Sequence, residues 1–600
     1  MLLDLPLDLL LVVLSKVTNL RDLKNLCEVS KSLYPHAIEL LYRSVTVKAA
    51  DERHLHEIDV SSLLLDRDKP EDENLLRFTK AIHFTSTFQD KRFERCVHFG
   101  GREDFEDIPA HGDIQFDRLA ETVLSVLERC VDGNLQSFTW GLGCCIPKGI
   151  LGSDRYLARH QSSIESIRLI IDGSCYALFL GEGPVGLSAL NKLKSIHFTG
   201  LRNKYNFKAV GAAIRLNSMH LRKLELDLIA TGLMYDNSDY GDNFFADHVL
   251  RVSPHERTRI CQTLETLSLS AVDFQFAQGA IACAFDLGSL TSLKLRWCPG
   301  WQDFLLHAGL EGQPIRLKSL EIQSDSEAEM AYTHTMYLFL GRFEGLEELI
   351  ISTASRGGTL AIWNSLLHHK STLKRFFHRQ RGWDNDEECD FPDLSLSPSE
   401  IAMLTEHPSK NPFCDFDLEC VALGCGPDIT KLLLSPLTTK RSLQVIHIRQ
   451  PAKDHRSVGP WPGSRSLGLQ QSTASDQDLF EARHGICMHQ DAASTISVDS
   501  DLGLPRRADA LSDFAQWAFG PVGFPSLRII AFGDFSYGTR FSDTNVLLCR
   551  KTERDPSVEA DGARVLFCRL RLDDWELVEL LERYAGVLEA CPEEKIPKYS

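Results

Sequence analysis

Beginning at Leu135, apolar residues take the first, fourth and sixth places of a six-residue pattern that returns along most of the chain. It reads LQSFTW, IESIRL, LKSIHF, LRKLEL, LETLSL, LTSLKL, LKSLEI, LEELII, LKRFFH, LECVAL, LQVIHI and, after a gap, LRIIAF. The starts fall at 135, 164, 193, 221, 264, 290, 317, 346, 373, 418, 443 and 527, mostly 25 to 29 residues apart, with insertions before 264, 418 and 527. In the ten units from Ile164 to the one beginning at Leu443, the three apolar places are kept in 29 of 30 cases, His378 being the exception. The places between and after them, such as Lys223, Glu225 and Asp227, are polar in 23 of 30. Period-two alternation predicts short strands with one side on a core and the other in solvent. Its return at a fixed spacing predicts a stack of them.

A strand followed by a helical or irregular return, repeated at this period, is the unit of a leucine-rich repeat. Neighbouring units bury one another's apolar sides and set their strands side by side as a parallel sheet on the concave surface of a solenoid, which suits protein binding. The predicted fold class is α/β. Six hundred residues exceed one compact core, which fits a repeat array. The expected organisation is a helical unit over 1–46, a linker with a degenerate first repeat over 47–130, and repeats over 131–450. An insertion over 451–510 follows, then a final repeat and cap over 511–600. The insertion carries GPWPGSRSLG, QQSTASD and STISVDSD, a composition that predicts disorder. Beyond the last hexamer, NVLLCRK and RVLFCRLRL predict two more strands, and WELVELLERYAGVLEAC predicts a helix capping the open end.

The chain opens MLLDLPLDLLLVVLSKVTNL. Its apolar run Leu9 to Leu14 follows Asp4 and Asp8 and precedes Lys16, the wrong charge order for a secretory signal. It also falls well short of the roughly 20 residues of a membrane span. A soluble chain of the cytoplasm or nucleus is expected. The same residues parse as helices. Pro6 suits a first turn, Asp8 favours the positive helix start, and Leu9, Leu10, Val13 and Leu14 form an apolar side. Asn19 can cap a second helix carrying Leu20, Leu23 and Leu26, and Ser30 or Ser32 a third with Leu33, Ile38 and Leu41.

The stretch LPLDLLLVVLSKVTNLRDLKNLCEVSKSLYPHAIELLYRSV resembles an F-box of the kind found in fungal leucine-rich-repeat proteins. The likeness rests on Leu5, Pro6, Asp8, Leu9, Leu10, Asp22, Leu23, Val29 and Ser30; Leu33 and Tyr34 stand where the family has a bulky aromatic. It covers about 45 of the 600 residues. The resemblance implies a three-helix F-box before the solenoid and a non-catalytic substrate receptor of an SCF-type cullin-RING ubiquitin ligase. Leu5, Pro6, Asp8, Leu9, Leu10, Val13, Leu23, Leu26, Val29 and Ser30 would dock the Skp adaptor, and through it cullin, while the repeats capture a target protein. The alternative is a repeat scaffold or binding protein whose first helices only cap the solenoid, with no ligase role.

Composition narrows the field further. A net charge of -18 argues against a nucleic-acid backbone or an anionic membrane as main partner. The 17 cysteines contain no C-x-x-C, so free thiols in a reducing compartment are expected. GEGPVG at Gly181 to Gly186 fits a dinucleotide fingerprint, but Pro184 interrupts it and no acidic residue follows until Glu225, which makes it a turn between repeats. His368, His369 and His378, with WDNDEEC at 383 to 389, lack metal-ligand spacing and are read as solvated loop residues. There is no G-x-S-x-G elbow and no P-loop, so no enzyme activity, cofactor or metal is expected. In LKRFFHRQRGW the alternation turns Arg375, Phe377 and Arg379 outward, with Arg381 just beyond the strand. Guanidinium groups around an exposed aromatic suit an acidic or phosphorylated target segment. The plainer reading leaves the arginines in solvent and Phe377 under a neighbouring loop.

Overall fold

The computed structural model describes residues 5–17, 19–49, 58–64, 74–86, 110–147, 149–152, 154–171, 186–201, 204–228, 244–253, 258–275, 277–310, 314–324, 332–353, 358–380, 394, 396–449, 507–536, 545–550, 567–570 and 574–592. The chain divides into two compact units, Met1–Asp286 with Ile596–Ser600, and Leu287–Lys595.

In the first unit the helices α1 (Leu7–Leu14), α2 (Leu20–Val29) and α3 (Tyr34–Tyr42) precede the strands. These are β1 (Ser44–Ala49), β2 (Ala81–Ser86), β3 (Ser137–Gly141), β4 (Ser166–Ile170), β5 (Ser195–Thr199), β6 (Lys223–Asp227) and β7 (Thr266–Ser270). They lie in chain order, each parallel to the next. The second unit holds β8 (Ser292–Arg296), β9 (Ser319–Gln323), β10 (Glu348–Thr353), β11 (Arg375–Gln380), β12 (Cys420–Leu423), β13 (Val445–Ile448), β14 (Ile529–Phe532), β15 (Val546–Arg550) and β16 (Phe567–Arg569). From β8 to β14 neighbours are parallel; β15 and β16 join antiparallel.

Each of the twelve hexamers forms one strand, β3 to β14, starting at its third place. Equivalent apolar places lie side by side in the ladder, as with Ile196, Leu224 and Leu267, all fully buried. Burying one such side chain contributes about 1.5–3 kcal/mol, so every repeat leans on its neighbours. Two strands, β1 and β2, fall where a linker and one degenerate repeat were expected. Their signature is concealed because the leading leucine is replaced by Tyr42 and Thr79. Thr79 is fully buried and donates its hydroxyl to the Tyr42 carbonyl at 3.1 Å, a polar post in place of an apolar one.

Buried side chains also tie the return segments together, because a chain leaving a strand carries backbone groups that the ladder cannot satisfy. The Asn217 amide accepts from Leu193 N–H at 2.8 Å and donates to the Leu190 and Ala213 carbonyls. Gln161 accepts from Leu135 N–H and donates to the Val131 carbonyl. His369 stands in the corresponding place and bonds the Leu340 carbonyl through Nε2 at 3.1 Å. A carbonyl only accepts, so Nε2 carries the proton.

Gly200, after β5, has φ +87°, and a Cβ there would stand 2.1 Å from the Ile171 carbonyl oxygen. Gly200→Ala is expected to cost about 2 kcal/mol, since a left-handed backbone disfavours a side chain even without the clash. Urea unfolding checks this; an unchanged midpoint would mean that the turn is not built this way in solution.

The stretch 451–510 expected to be disordered lies outside the described residues except for its last positions, where a helix, Arg507–Ala518, begins. Among the described residues no helix is long and apolar enough to cross a membrane.

Candidate functional site

The helix α1 is apolar on every side except at Asp8, yet only one side of it is covered. Leu10 and Leu14, one turn apart, enter a small core with Leu33, edged by Leu5, Leu26 and Leu40. Leu9, Val12 and Val13 share the other face by their i, i+3, i+4 spacing and are exposed, Leu9 at 54% and Val13 at 42%. Leu7 and Leu11 flank them, also exposed. A helix apolar all round belongs inside a protein. Here the inner half meets that rule within the chain, and the outer half is bare.

The other two helices hold α1 in place. The Asn19 side chain accepts from Arg21 N–H at 2.9 Å and caps α2, as its sequence position predicts. The expected serine cap on the third helix is not formed. Leu33 is drawn into the core under α1, so the chain turns over Ser30 to Leu33 and α3 starts at Tyr34 with Pro35 in its first turn. Ser30 ends α2 and its hydroxyl accepts from Leu33 N–H at 3.4 Å. Of the ten candidate docking residues, Pro6, Asp8, Leu9, Val13 and Val29 are exposed. Leu10 and Leu23 are buried, Leu5 and Leu26 pack on the core, and Ser30 is half-buried in the turn. These five hold the helices together. Leu7, Leu11, Val12, Leu20 and Tyr34, outside those ten, are also exposed.

The second surface is the outward face of the strands in the second unit. It is not free. The helix Trp575–Arg583 and the short helix Ala585–Leu588 lie across it rather than beyond the last strand, where a cap was expected. Their Leu577, Leu580, Leu581, Tyr584, Val587 and Leu588 pack on Ile350, Phe377, Cys420, Ala422, Val445 and Ile529, all outward places. An amphipathic helix must bury its apolar side, and these strands offer apolar side chains where a solvated face would not. The expectation of an exposed arginine and phenylalanine patch is thereby corrected. Phe377 is fully buried and Arg379 nearly so. Arg375 is ion-paired to Glu348 at 2.7 Å, and Arg381 lies outside the described residues. The signal for this was present in the alternation. Of the seven outward places that are not polar, six (Ile350, Phe377, Cys420, Ala422, Gly424 and Val445) fall in four consecutive units.

The end of this segment is gripped through its main chain. Arg449, fully buried, donates to the Ala590 and Cys591 carbonyls and is paired with Asp534 at 3.0 Å. Gln323 donates to the Pro592 carbonyl at 2.7 Å, and Glu321 accepts from Cys591 N–H at 3.3 Å. Glu321 is itself fully buried between Arg296 (2.6 Å) and Lys294 (3.0 Å). Burial alone would raise its pKa; the two cations outweigh that and hold it at about 2, so it is a carboxylate. In the first unit, by contrast, the outward face of β4 to β6 stays partly open, with Arg168 exposed and Glu225 bonded to His197 and Lys223.

The three histidines are not all in solvent. His369 and His378 are buried, while His368 is largely exposed. Trp363 donates its indole N–H to His378 Nδ1 at 2.8 Å, and burial pushes that imidazole down to about 3. His378 thus fills its apolar place as a neutral ring. Among the described residues no group of His, Cys, Asp and Glu could hold a metal. The stretch 383–389 and all of GEGPVG except Gly186 lie outside them.

No protein-family model matches the chain, and no curated protein matches it.

Proposed function

We propose that the chain is a non-catalytic substrate receptor of an SCF-type cullin-RING ubiquitin ligase. Its N-terminal helices dock a Skp-type adaptor, and its repeats hold a target protein. The observation that supports this best is the bare outer half of α1, where Leu9, Val12 and Val13 stand exposed on a helix already folded by Leu10 and Leu14. Such a face is stable in water only at a cost, and a partner that covers it recovers about 25 cal/mol for each Å² buried. The receptor's contribution is proximity: it raises the effective concentration of target lysines near a ubiquitin-charged enzyme and breaks no bond itself.

The experiment is direct. The full chain is mixed with purified Skp-type adaptor and passed over a sizing column, where a one-to-one complex is expected at micromolar concentrations. Separate elution of the two would favour the other reading, a repeat scaffold whose helices serve only the solenoid.

A further inference from the structure

The grip on residues 590–592 is unlike the rest of the core. Here three buried polar side chains, Arg449 just beyond β13 and Glu321 and Gln323 on β9, converge on one short stretch of peptide backbone. Arg449 takes two carbonyls, Gln323 takes a third, and Glu321 takes the Cys591 N–H. Main-chain bonds of this kind do not depend on which residues supply the backbone, and that is how a protein holds peptides of varied sequence.

The occupant does not exhaust the site. Arg449 Nε and the Gln323 amide oxygen are buried with no partner, on side chains that are fully and 95% buried respectively, the latter from its 5% exposure. A buried polar group left unpaired carries a real penalty. The occupant is also strained, since Cys591 sits at φ +48° without being glycine. Finally, the segment presents only neutral carbonyls to Arg449.

We propose that the outward face of the second unit's strands is a peptide-binding site, and that residues 574–592 fill it as an exchangeable ligand belonging to the chain itself. Its foreign ligand is an amphipathic helix from another protein, ending in a turn that carries a carboxylate. The apolar side of that helix takes the place of Leu577, Leu580, Leu581 and Leu588 over Phe377 and Val445. The carboxylate supplies Arg449 with a charge-assisted bond, which is stronger than one to a neutral carbonyl. The chain's own segment competes through its tether, which gives it a high effective concentration despite its poorer contacts. Access to the face is then set by the fraction of molecules whose segment is released. The inference does not rest on adaptor docking and is tested on the chain alone.

The probe is a fluorescent synthetic peptide of residues 574–591, whose free terminal carboxylate falls at the Cys591 carbonyl that Arg449 holds, titrated into the full-length protein. A C-terminal amide and a scrambled sequence serve as comparisons. Saturable binding is expected for the free acid, at least tenfold weaker for the amide and absent for the scramble. Hydrogen exchange on the same mixtures should show residues 577–591 of the protein becoming faster while β8 to β14 stay protected. The proposal is overturned if no peptide binds at millimolar concentration. Binding that leaves exchange at 577–591 unchanged would overturn it too, because the peptide would then sit elsewhere. Equal affinity of acid and amide would remove the carboxylate from the ligand's description. A peptide-sensitive dimer made by swapping the segment would assign the site to a second copy of this chain, not to a foreign helix.

Discussion

Leu9→Asp combined with Val13→Asp is expected to weaken adaptor binding a thousandfold or more while leaving the repeats folded. Both side chains lie on the bare face of α1, about half exposed before any partner arrives. Losing their remaining burial in a complex costs about 2 kcal/mol at roughly 0.8 kcal/mol per buried CH₂. Desolvating two unpaired carboxylates adds at least about 1–3 kcal/mol each. The sum of about 4–8 kcal/mol matches or exceeds the ~4.1 kcal/mol that separates a micromolar from a millimolar complex. Neither residue contributes to the core of Leu10, Leu14 and Leu33, so thermal unfolding should barely move. Leu10→Ala is the contrasting change. It removes a residue from that core, and its first effect should be faster proteolysis of the helices. Titration calorimetry with the adaptor separates the two; a double variant that binds like the parent would sink the docking assignment.

Mild acid is expected to destabilise the second unit well before its carboxylates titrate. His369, His378 and His447 are buried there, and burial pushes them down to about 4, 3 and 3 from an ordinary 6.5. The unfolded chain therefore takes up protons that the native chain refuses. Stability is complete above about pH 6.5 and is lost as the pH falls from there toward 3. Each such proton is worth about 1.4 kcal/mol per pH unit, so three give a slope of up to about 4 kcal/mol per unit. Between pH 6.5 and 4 that amounts to up to about 10 kcal/mol, comparable with the about 5–15 kcal/mol of a whole domain, so the unit should be close to unfolding near pH 4. Glu321 acts lower still. Its pKa is depressed, so its contribution is present above about pH 4.5 and disappears as the pH falls toward 2. Guanidinium titrations at pH 7.5, 6 and 5 provide the measurement. A free energy that stays flat across them would show that these histidines are solvated or charged in the native protein.

The repeats were legible because they obey a local rule. A leucine at place one, and apolar residues at places four and six, state the strand, its buried side and its neighbour in one pattern. Tyr42 and Thr79 break the first place, so a linker and one degenerate repeat were expected where β1 and β2 stand. The helices were legible from Pro6, Asn19 and the leucine spacing. Which leucines face outward was not, because α1 is apolar all round and periodicity cannot choose a side. Phe377 shows the deeper limit. Alternation places it outward correctly, but outward means solvated only if nothing returns to cover it, and the covering residues lie about 200 positions later in the chain. His378 and His369 escaped for a related reason: a buried histidine is recognised by its one hydrogen-bond partner, and neither Trp363 nor the Leu340 carbonyl can be read from spacing.

The helix α3 passes into β1 with only Arg43 between them. The Arg43 carbonyl takes the N–H groups of Lys80 and Ala81 at 2.8 and 3.0 Å, while Thr79 anchors Tyr42. There is no spacer to swing. A body seated on the bare face of α1 is aimed by the sheet of the first unit as a tool is aimed by a fixed handle. The distance from it to anything resting on those strands is set by geometry, not by the statistics of a tether. On the proposed receptor reading, reach would be narrow and sharply selective: a lysine in the right place would be served, and one a few ångströms out of line would not.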